Sequence, residues 1–357
     1  MNRYGFLLIS FMWLNFACGQ ITYRYKDVET ISANYIQKDI KISNAIEVEE
    51  FLPKNYVKDG SVDYTNFVQK ALNRGGKILF PGFPILINDQ GLILKSNSDI
   101  YFSKNSKLSM KPSSLGTYRI LKIYNSSNIN ITNLNLIGDR KVHKGKGGEW
   151  GIGIDIRNSK DIAIQNTIIK DFWGDGICLG AGIPNQRILI KNVFIDNCRR
   201  NGITVGSAID SKISNVTISN ISGAAPMAGI DIEPNNNKDV INNIVIENYN
   251  SFNNKSRGLL IDLRNFKGEK KRNINISVTN FKDDGSYYGL SMPLLGKFKN
   301  QVEGNINLEK ISLRNNGHSP IQSYDVVDNK LKVSIRDHNV NQNNLGEVVR
   351  RLNNQKK

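Results

Sequence analysis

A short phrase, in which glycine is followed by alternating large aliphatic residues, returns six times in the middle of this 357-residue chain. Its glycines are Gly153, Gly176, Gly202, Gly229, Gly258 and Gly289, which lie 23, 26, 27, 29 and 31 residues apart. A repeat of this length indicates stacked supersecondary units, none of which can bury its hydrophobic face alone. The sequence therefore predicts one elongated body made of coils, with different segments at its two ends.

The residues after each glycine alternate in character, with large aliphatic side chains one and three places after it. A period of two is typical of a β-strand, in which successive side chains point to opposite faces. If the coils stack in parallel, the aliphatic positions form an inner column and the positions between them form an outer face. Four acidic residues fall on that outer face: Asp155, Asp231, Glu233 and Asp262.

A second phrase, which contains asparagine, keeps step with the glycines. Its asparagines are Asn133, Asn166, Asn192, Asn215 and Asn243. Stacked strands lie about 4.8 Å apart, so side-chain amides at equivalent turns can bond from coil to coil. We expect these residues to form an internal asparagine ladder with a structural role.

The segment before the repeats has a polar start, a helix-like stretch over 66–73 and a strand-like stretch after two glycines. It carries the following residues in order: Asp59, Gly60, Asp63, Thr65, Gly75, Gly76, Phe80 and Pro81. This order resembles the beginning of proteins of the pectin-lyase-like superfamily. The resemblance implies an all-β fold, a single-stranded right-handed parallel β-helix solenoid, with a short N-terminal capping helix that protects the open sheet edge.

Residues 1–19 have the features of a signal peptide. Arg3 supplies the positive charge, 5–17 is an apolar run too short to span a membrane comfortably, and small residues surround Cys18. We therefore predict a secreted or periplasmic protein, with lipid attachment through Cys18 as the less favoured alternative. The other predicted segments are a leader at 20–55, a β-helix domain at 56–340 and a polar basic tail at 341–357.

The composition limits the partners of this chain. A net charge of +16 fits either general surface charge or attraction to a polyanion. Because the positive residues are spread along a chain that we expect to be exported, we exclude nucleic acid and keep a polysaccharide, acidic or not, as the partner. Cys178 and Cys198 either form one disulfide or remain two thiols, and their spacing matches no metal site.

The acidic residues of the outer face have the spacing that glycoside hydrolysis requires. Asp231 and Glu233 lie about 7 Å apart on one strand, and Glu233 and Asp262 lie about 5 Å apart on neighbouring coils. At such separations a carboxylic acid can protonate the leaving oxygen while a carboxylate activates water or attacks. Together with Asp175, which stands just before a repeat glycine, these residues form the predicted catalytic set.

Two other functions remain open. The same carboxylates beside Arg257 or Arg264 resemble the calcium-and-arginine site of pectate lyases, which implies a lyase for an acidic glycan with Ca²⁺ as a candidate cofactor. A non-catalytic glycan-binding or surface solenoid is the third reading. The motifs of polygalacturonases do not transfer, because Asp175 stands alone where that family has two aspartates and Asn201 stands where it has histidine.

Residues that bind substrate are predicted at the edge where each coil begins. Trp150 and Trp173 open consecutive coils, and exposed indole rings stack on pyranose rings. Arginines bind carboxylate or sulfate groups through two parallel hydrogen bonds. The predicted binding set is Glu149, Trp150, Asp155, Trp173, Arg199, Arg200, Arg257, Arg264 and Tyr288. The basic insert at 138–148, which contains His143, is expected to form a wall beside these residues.

Overall fold

Parallel strands make up most of the computed structural model, which describes Tyr35 and residues 39–293, 300–323, 330–342 and 345–352. The strands up to the insert are β1 (Ile46–Glu47), β2 (Gly76–Phe80), β3 (Pro84–Ile87), β4 (Leu92–Ile93), β5 (Ser98–Phe102), β6 (Lys107–Met110), β7 (Thr117–Tyr124), β8 (Ser127–Thr132) and β9 (Asn135–Ile137). Those of the repeats are β10 (Trp150–Arg157), β11 (Lys160–Lys170), β12 (Ile177–Leu179), β13 (Asn185–Asp196), β14 (Asn201–Val205), β15 (Ala208–Ser219), β16 (Ala228–Ile232), β17 (Ile241–Phe252), β18 (Arg257–Ile261), β19 (Gly268–Asp284) and β20 (Tyr288–Met292). The last are β21 (Asn300–Arg314), β22 (Ser319–Ser323) and β23 (Lys330–Val340).

Two long sheets share these strands. One contains nine strands in the order β22-β20-β18-β16-β14-β12-β10-β7-β4. The other contains fourteen and follows the path β1-β2-β5-β8-β11-β13-β15-β17-β19-β21-β23, while β3, β6 and β9 pair beside it. Each coil thus gives one strand to each sheet, and the protein is an all-β parallel solenoid, as the repeats predict.

The six glycine phrases lie in the nine-stranded sheet in one-to-one register. Ile154 pairs with Ile177, Ile177 pairs with Ile203, and Ile203 pairs with Ile230. All four side chains have no exposed surface. Burying an aliphatic side chain of this size contributes about 1.5–3 kcal/mol. The predicted inner column is therefore confirmed, and it is the main source of stability along this sheet.

The repeat glycines lie in a corner of the interior that other side chains already fill. A Cβ atom on Gly202 would lie 2.5 Å from Cγ2 of Ile218, and one on Gly153 would lie 3.1 Å from the Phe172 ring. Real Cβ atoms do not approach neighbours that closely, so a larger residue would force the sheets apart. The glycines thus face inward.

Strands of the fourteen-stranded sheet bend at asparagines in the left-handed conformation. Asn192, Asn215 and Asn248 have φ of 55°, 53° and 52°, which Asn tolerates better than most residues. Asn192 Nδ2 donates to Asn166 Oδ1 at 2.7 Å, and Asn248 Nδ2 donates to Asn215 Oδ1 at 2.9 Å. The expectation of an internal ladder through Asn243 is wrong in two respects.

The first error is one of alignment, because Asn243 donates to Asp210 in a different column and Asn248 takes its predicted place. The second is one of position, because Asn215 and Asn248 are exposed. The column is therefore buried at Asn133 and exposed at Asn215 and Asn248.

A helix, α1 (Thr65–Leu72), lies where the sequence predicts one, and Val68 and Leu72 on it are buried. Its role as a cap stays a prediction. The predicted leader contributes to the body, because β1 pairs with β2. Tyr35 also contacts the body: its Oη lies 2.9 Å from Thr217 Oγ1 and its ring stacks on Phe194.

A second helix, α2 (Leu345–Leu352), forms within the predicted polar tail. Val348 on it is buried, and Leu345 packs against the core. The predicted signal peptide and Cys18 lie outside the described residues, and the predicted domain boundaries stay predictions. No helix of the described parts of the chain is long and apolar enough to cross a membrane. Cys178 and Cys198 are separate buried thiols, and burial raises the pKa of both.

Candidate active site

The outer face of the nine-stranded sheet brings three of the predicted catalytic residues together. Asp231 lies on β16, and Glu233 and Asp262 follow directly after β16 and β18. Ile232 pairs with Ile261, and the Asp262 amide donates to the Ile232 carbonyl at 2.9 Å. Glu233 and Asp262 are therefore neighbours on adjacent coils, as the sequence predicts.

These carboxylates lie at a cleft of about 310 Å³. Its charged lining combines two acids with three arginines: Arg200, Glu233, Arg257, Asp262 and Arg264. Ala225, Pro226, Leu260 and Pro293 complete the wall. A concave site with convergent charged groups is the usual form of a small-molecule or polymer subsite.

Glu233 is the acid of the cleft that lacks a partner. Its side chain is half-buried, and no described residue donates a hydrogen bond to its carboxylate. Burial raises the pKa of Glu233, and the negative charge of Asp262 raises it further. Both effects favour the protonated form, which is the form that a general acid needs.

Asp262 has a strong counterion instead. Arg264 Nε lies 2.9 Å from Asp262 Oδ1, and Arg264 Nη2 lies 2.6 Å from Oδ2. This fork-like contact keeps the Asp262 carboxylate in one orientation beside Glu233. The two neighbouring acids thus have opposite surroundings, one unpaired and one held by a guanidinium.

Asp231 lies beneath this pair and has no exposed surface. Asn201 Nδ2 donates to its Oδ2 at 2.9 Å, whereas its Oδ1 is buried without a partner in the described structure. Burial raises the pKa of Asp231 well above its ordinary value, with the charge of Glu233 as the next cause. Asp231 therefore lies behind Glu233 and does not line the cleft.

Asp175 is separated from the cleft by an arginine. Its carboxylate is fully buried and accepts hydrogen bonds from Arg200 Nη1 and Thr204 Oγ1, both at 2.9 Å. Burial raises the pKa of Asp175, and the Arg200 charge opposes that rise. The sequence predicts a catalytic role for Asp175, but in the structure it orients Arg200, which lines the cleft.

Asp155, which the sequence places on an exposed outer face with a role in binding, has no exposed surface. Its Oδ2 accepts hydrogen bonds from Tyr124 Oη at 2.6 Å, Arg157 Nε at 2.9 Å and Arg119 Nε at 3.3 Å. These long side chains, on the same strand and the preceding coil, cover it. The expectation that outward acids are open to solvent is wrong here and at Asp231.

The predicted tryptophan platform is also covered. Trp173 is stacked on the His143 ring at 4.0 Å, and the Arg199 guanidinium lies over it at 4.4 Å. Two groups that close to one ring centre occupy its two faces, so Trp173 has no free face for a sugar. Trp150 carries the Arg200 guanidinium at 4.5 Å and remains 37% exposed.

The other predicted binding residues lie at different distances from the cleft. Glu149 is exposed. Arg257 lines the cleft, and its Nη1 donates to Ser256 Oγ at 2.7 Å and to the Pro226 carbonyl at 3.3 Å. No carboxylate of the described residues pairs with this guanidinium. Tyr288 pairs with Arg257 across adjacent strands.

Two residues with no predicted role connect the buried acids. Asn201 bonds to Asp231, and its Nδ2 also lies 2.9 Å from Thr204 Oγ1, which donates to Asp175. The hydrogen bonds show that Asp175 and Asn201, each just before a repeat glycine, share the outer face with Thr204. The sequence contains a sign of this arrangement. Aligning the repeat glycines also aligns the residues just before them, and this places Asp175 beside Asn201 on adjacent coils.

The basic insert is held down by a buried network. His143 Nδ1 lies 2.7 Å from Asp139 Oδ2, and Tyr118 Oη donates to Asp139 Oδ1 at 2.6 Å. Trp173 Nε1 donates to the Gly147 carbonyl at 3.1 Å. The insert therefore packs on Trp173, and His143 has a structural position.

A calcium site does not fit these residues. Within the described residues there is no group of three or more His, Cys, Asp or Glu side chains arranged to hold a metal. Asp262 is already bound by Arg264, and Asp231 and Asp175 are enclosed. Calcium takes six to eight oxygen ligands, which this cleft does not offer.

Comparison with known proteins agrees with the architecture. Residues 119–292 match the family described as the right handed beta helix region. Two relatives from Bacillus subtilis (strain 168) are the uncharacterized protein YclG, 26% identical over 217 residues, and the SPbeta prophage-derived uncharacterized protein YorA, 25% identical over 162 residues. The matches cover 51% and 40% of this chain but only 37% and 28% of those proteins.

Solved structures with the same fold act on or bind glycans. The mannuronan C-5 epimerase AlgE4 A-module of Azotobacter vinelandii has a TM-score of 0.60 at 16% identity, over 82% of this chain and 76% of that one. Endo-xylogalacturonan hydrolase of Aspergillus tubingensis has a TM-score of 0.58 at 13% identity, over 78% and 82%. A tailspike protein of E. coli bacteriophage HK620, in complex with a pentasaccharide, has a TM-score of 0.56 at 12% identity, over 87% and 63%. The chain thus shares the parallel β-helix fold of these proteins, which is the fold that the resemblance in the sequence implies.

Proposed function

We propose that this protein is an exported glycoside hydrolase that cleaves a polysaccharide at the cleft between Glu233 and Asp262. The observation that carries the proposal is the pairing of an unpartnered, half-buried glutamic acid with an arginine-bound aspartate on the adjacent coil. Neighbouring strands lie about 4.8 Å apart, which is close to the separation of about 5–5.5 Å between the two carboxyl groups of retaining glycosidases. The similar folds named above support a glycan as the substrate.

In this proposal Glu233 donates its proton to the glycosidic oxygen as the bond to the anomeric carbon breaks. Asp262 attacks the anomeric carbon to form a covalent glycosyl-enzyme. Water, activated by the Glu233 carboxylate that has just lost its proton, then hydrolyses this ester and leaves a new reducing end on the product. Arg264 holds the Asp262 carboxylate in one orientation. Asp175 acts indirectly by holding Arg200.

A lyase acting on an acidic glycan is the second candidate. Arg257 favours it, because this guanidinium lines the cleft with no carboxylate partner among the described residues. It is placed to bind a uronate carboxylate or to remove the neighbouring proton. Such a lyase would have to work without the calcium site that the resemblance to pectate lyases implies.

The test is to incubate the protein with polygalacturonate, alginate, xylan and dextran and to score two products together. We expect new reducing ends without ultraviolet absorbance. Absorbance from an unsaturated product would favour the lyase, and binding without either product would favour a non-catalytic solenoid. Glu247→Gln is the matched control for Glu233→Gln, because Glu247 pairs with Lys212 on the other sheet.

A further inference from the structure

A second column of left-handed residues, at the opposite end of the bent strands, has a glycine at one coil. Asp171, Asn197, Asn220 and Asn253 occupy equivalent positions with φ between 51° and 62°. Asn197 Nδ2 donates to Asp171 Oδ1 at 2.6 Å, and Asn253 Nδ2 donates to Asn220 Oδ1 at 2.8 Å. The next position is Gly285, at φ 85°.

At Gly285 no side chain continues the column. On the following coil the column resumes with Asn315, at φ 52°. No described residue donates a hydrogen bond to Asn253 Oδ1 from the Gly285 side. An amide oxygen that would accept a bond from an asparagine at 285 is thus available to a ligand.

A cavity of about 500 Å³ lies at this gap, and we call it the Gly285 cavity. The residues of its lining that matter here are Asn220, Asn253, Lys255, Ser256, Gly285 and Tyr287. They offer amides, a hydroxyl, an ammonium and an aromatic ring, and the lining contains no acidic residue. A wall of this kind suits a ligand that is rich in hydroxyl groups.

Tyr287 supplies the stacking surface that such a ligand needs. Its side chain is 43% exposed, which is unusual for a large aromatic residue in this protein. Tyr288 contacts it edge-on at 4.9 Å, and His318 contacts it at 5.2 Å. The ring is therefore held in place by two neighbouring rings, and Tyr287 also lines the cavity.

We infer that the Gly285 cavity binds a pyranose ring of a glycan chain, at a position separate from the proposed cleavage site. The two sites lie on either side of one short loop, since Pro226 lines the cleft and Met227 lines the cavity. A chain that crosses this loop would be held at both places. The inference rests on the proposed function for the choice of a glycan.

The experiment places a side chain in the cavity at a position that has none. Gly285→Asn does so at φ 85°, a left-handed conformation that asparagine tolerates better than most residues. The matched control is Gly75→Asn, at φ 69° near α1, where the nearest atom to a new Cβ is 3.8 Å away. Tyr287→Ala removes the ring from the same cavity.

All three variants are made in the Glu233→Gln background, and binding is measured by affinity electrophoresis in gels that contain polygalacturonate, alginate, xylan or dextran. We expect Gly285→Asn and Tyr287→Ala to weaken binding about tenfold, which corresponds to one well-stacked ring. Gly285→Asn should leave the melting temperature unchanged or raise it, and Gly75→Asn should bind normally.

Unchanged binding in both cavity variants would overturn the inference while leaving the proposed cleavage by Glu233 intact. A second result would also overturn the inference: Gly285→Asn loses binding and has a lower melting temperature, while Tyr287→Ala binds normally. Partial unfolding of Gly285→Asn would then explain its loss of binding. If none of the four polysaccharides retards the parent protein, the assignment of a glycan to this cavity is rejected. Cavity-dependent binding without any cleavage would support the inference and reject the hydrolase.

Discussion

Asp155 and Glu233 stand on the outer face of the same sheet, on coils three strands apart, yet their surroundings are opposite. Asp155 is enclosed and bonded by two arginines and a tyrosine. Glu233 is half-buried beside another acid and has no donor among the described residues. An acid with its countercharges in place stabilises the fold, whereas one without them is available for proton transfer. The comparison shows that a missing counterion distinguishes Glu233, the candidate proton donor, from Asp155, whereas Asp262 is a candidate because it lies beside Glu233 while Arg264 holds it.

The largest effect should come from Glu233→Gln. Loss of a general acid lowers the rate by about 10²–10⁴-fold, so release of reducing ends from the best polysaccharide should fall by that factor. The free energy of unfolding should change by less than about 1 kcal/mol, because no hydrogen bond is lost. Full activity in this variant, with Glu247→Gln as control, would remove Glu233 from the site.

Asp155→Asn should show the reverse pattern. Breaking a buried ion pair leaves Arg119 and Arg157 without their countercharge, which costs about 3 kcal/mol of folding free energy. Urea unfolding monitored by circular dichroism measures this loss. If Asp155→Asn and Glu233→Gln destabilise the protein equally, the contrast between the two acids does not hold.

Asp231→Asn should change how stability depends on pH. The folded protein raises the pKa of Asp231 above its unfolded value of about 3.9, so its contribution is fully present below that pH and is lost as pH rises through the folded pKa. Asparagine does not ionise, so Asp231→Asn does not lose this contribution to the free energy of unfolding. Its melting temperature relative to the parent should therefore increase from pH 4 to pH 8, by the equivalent of about 1 kcal/mol or more. A constant difference across this range would contradict the raised pKa.

The smallest effect concerns Arg257 and salt. Arg257→Gln should weaken binding of polygalacturonate severalfold at 50 mM salt and less at higher salt, because exposed charges are screened over about 10 Å at 0.1 M. Arg187→Gln is the control, since Arg187 is paired with Asp161 on the other sheet. Equal salt dependence in the parent and in Arg257→Gln would assign the attraction to general surface charge.

Much of this architecture can be predicted from the amino-acid sequence, because side chains alternate between the two faces of a strand and their spacing shows which face each one is on. That rule places Ile154 and Ile203 in the core and Glu233 beside Asp262. It fails for the environment of Asp155, because Arg119 comes from 36 residues away in sequence. It also fails for Trp173, since His143 covers it from an insert whose path has no repeat to follow.

The asparagine ladder shows a related limit. Matching short phrases selected Asn243, whereas the structure aligns Asn248 with Asn215 across 33 residues. Coils of unequal length let a similar phrase fall in a neighbouring column. Only the hydrogen bonds between coils decide which asparagine continues the ladder.

The corner glycines have a consequence for how such a protein can change over generations. Each interval from one glycine to the next is a complete unit whose upper and lower surfaces match every other unit. Deleting the interval from Gly202 to Gly229 would leave an aliphatic core in register but would set Cys178 beside Asp231 in place of Thr204. Loss or duplication of whole units can thus rearrange the outer face while the interior stays the same, which is an inexpensive genetic route to new specificities.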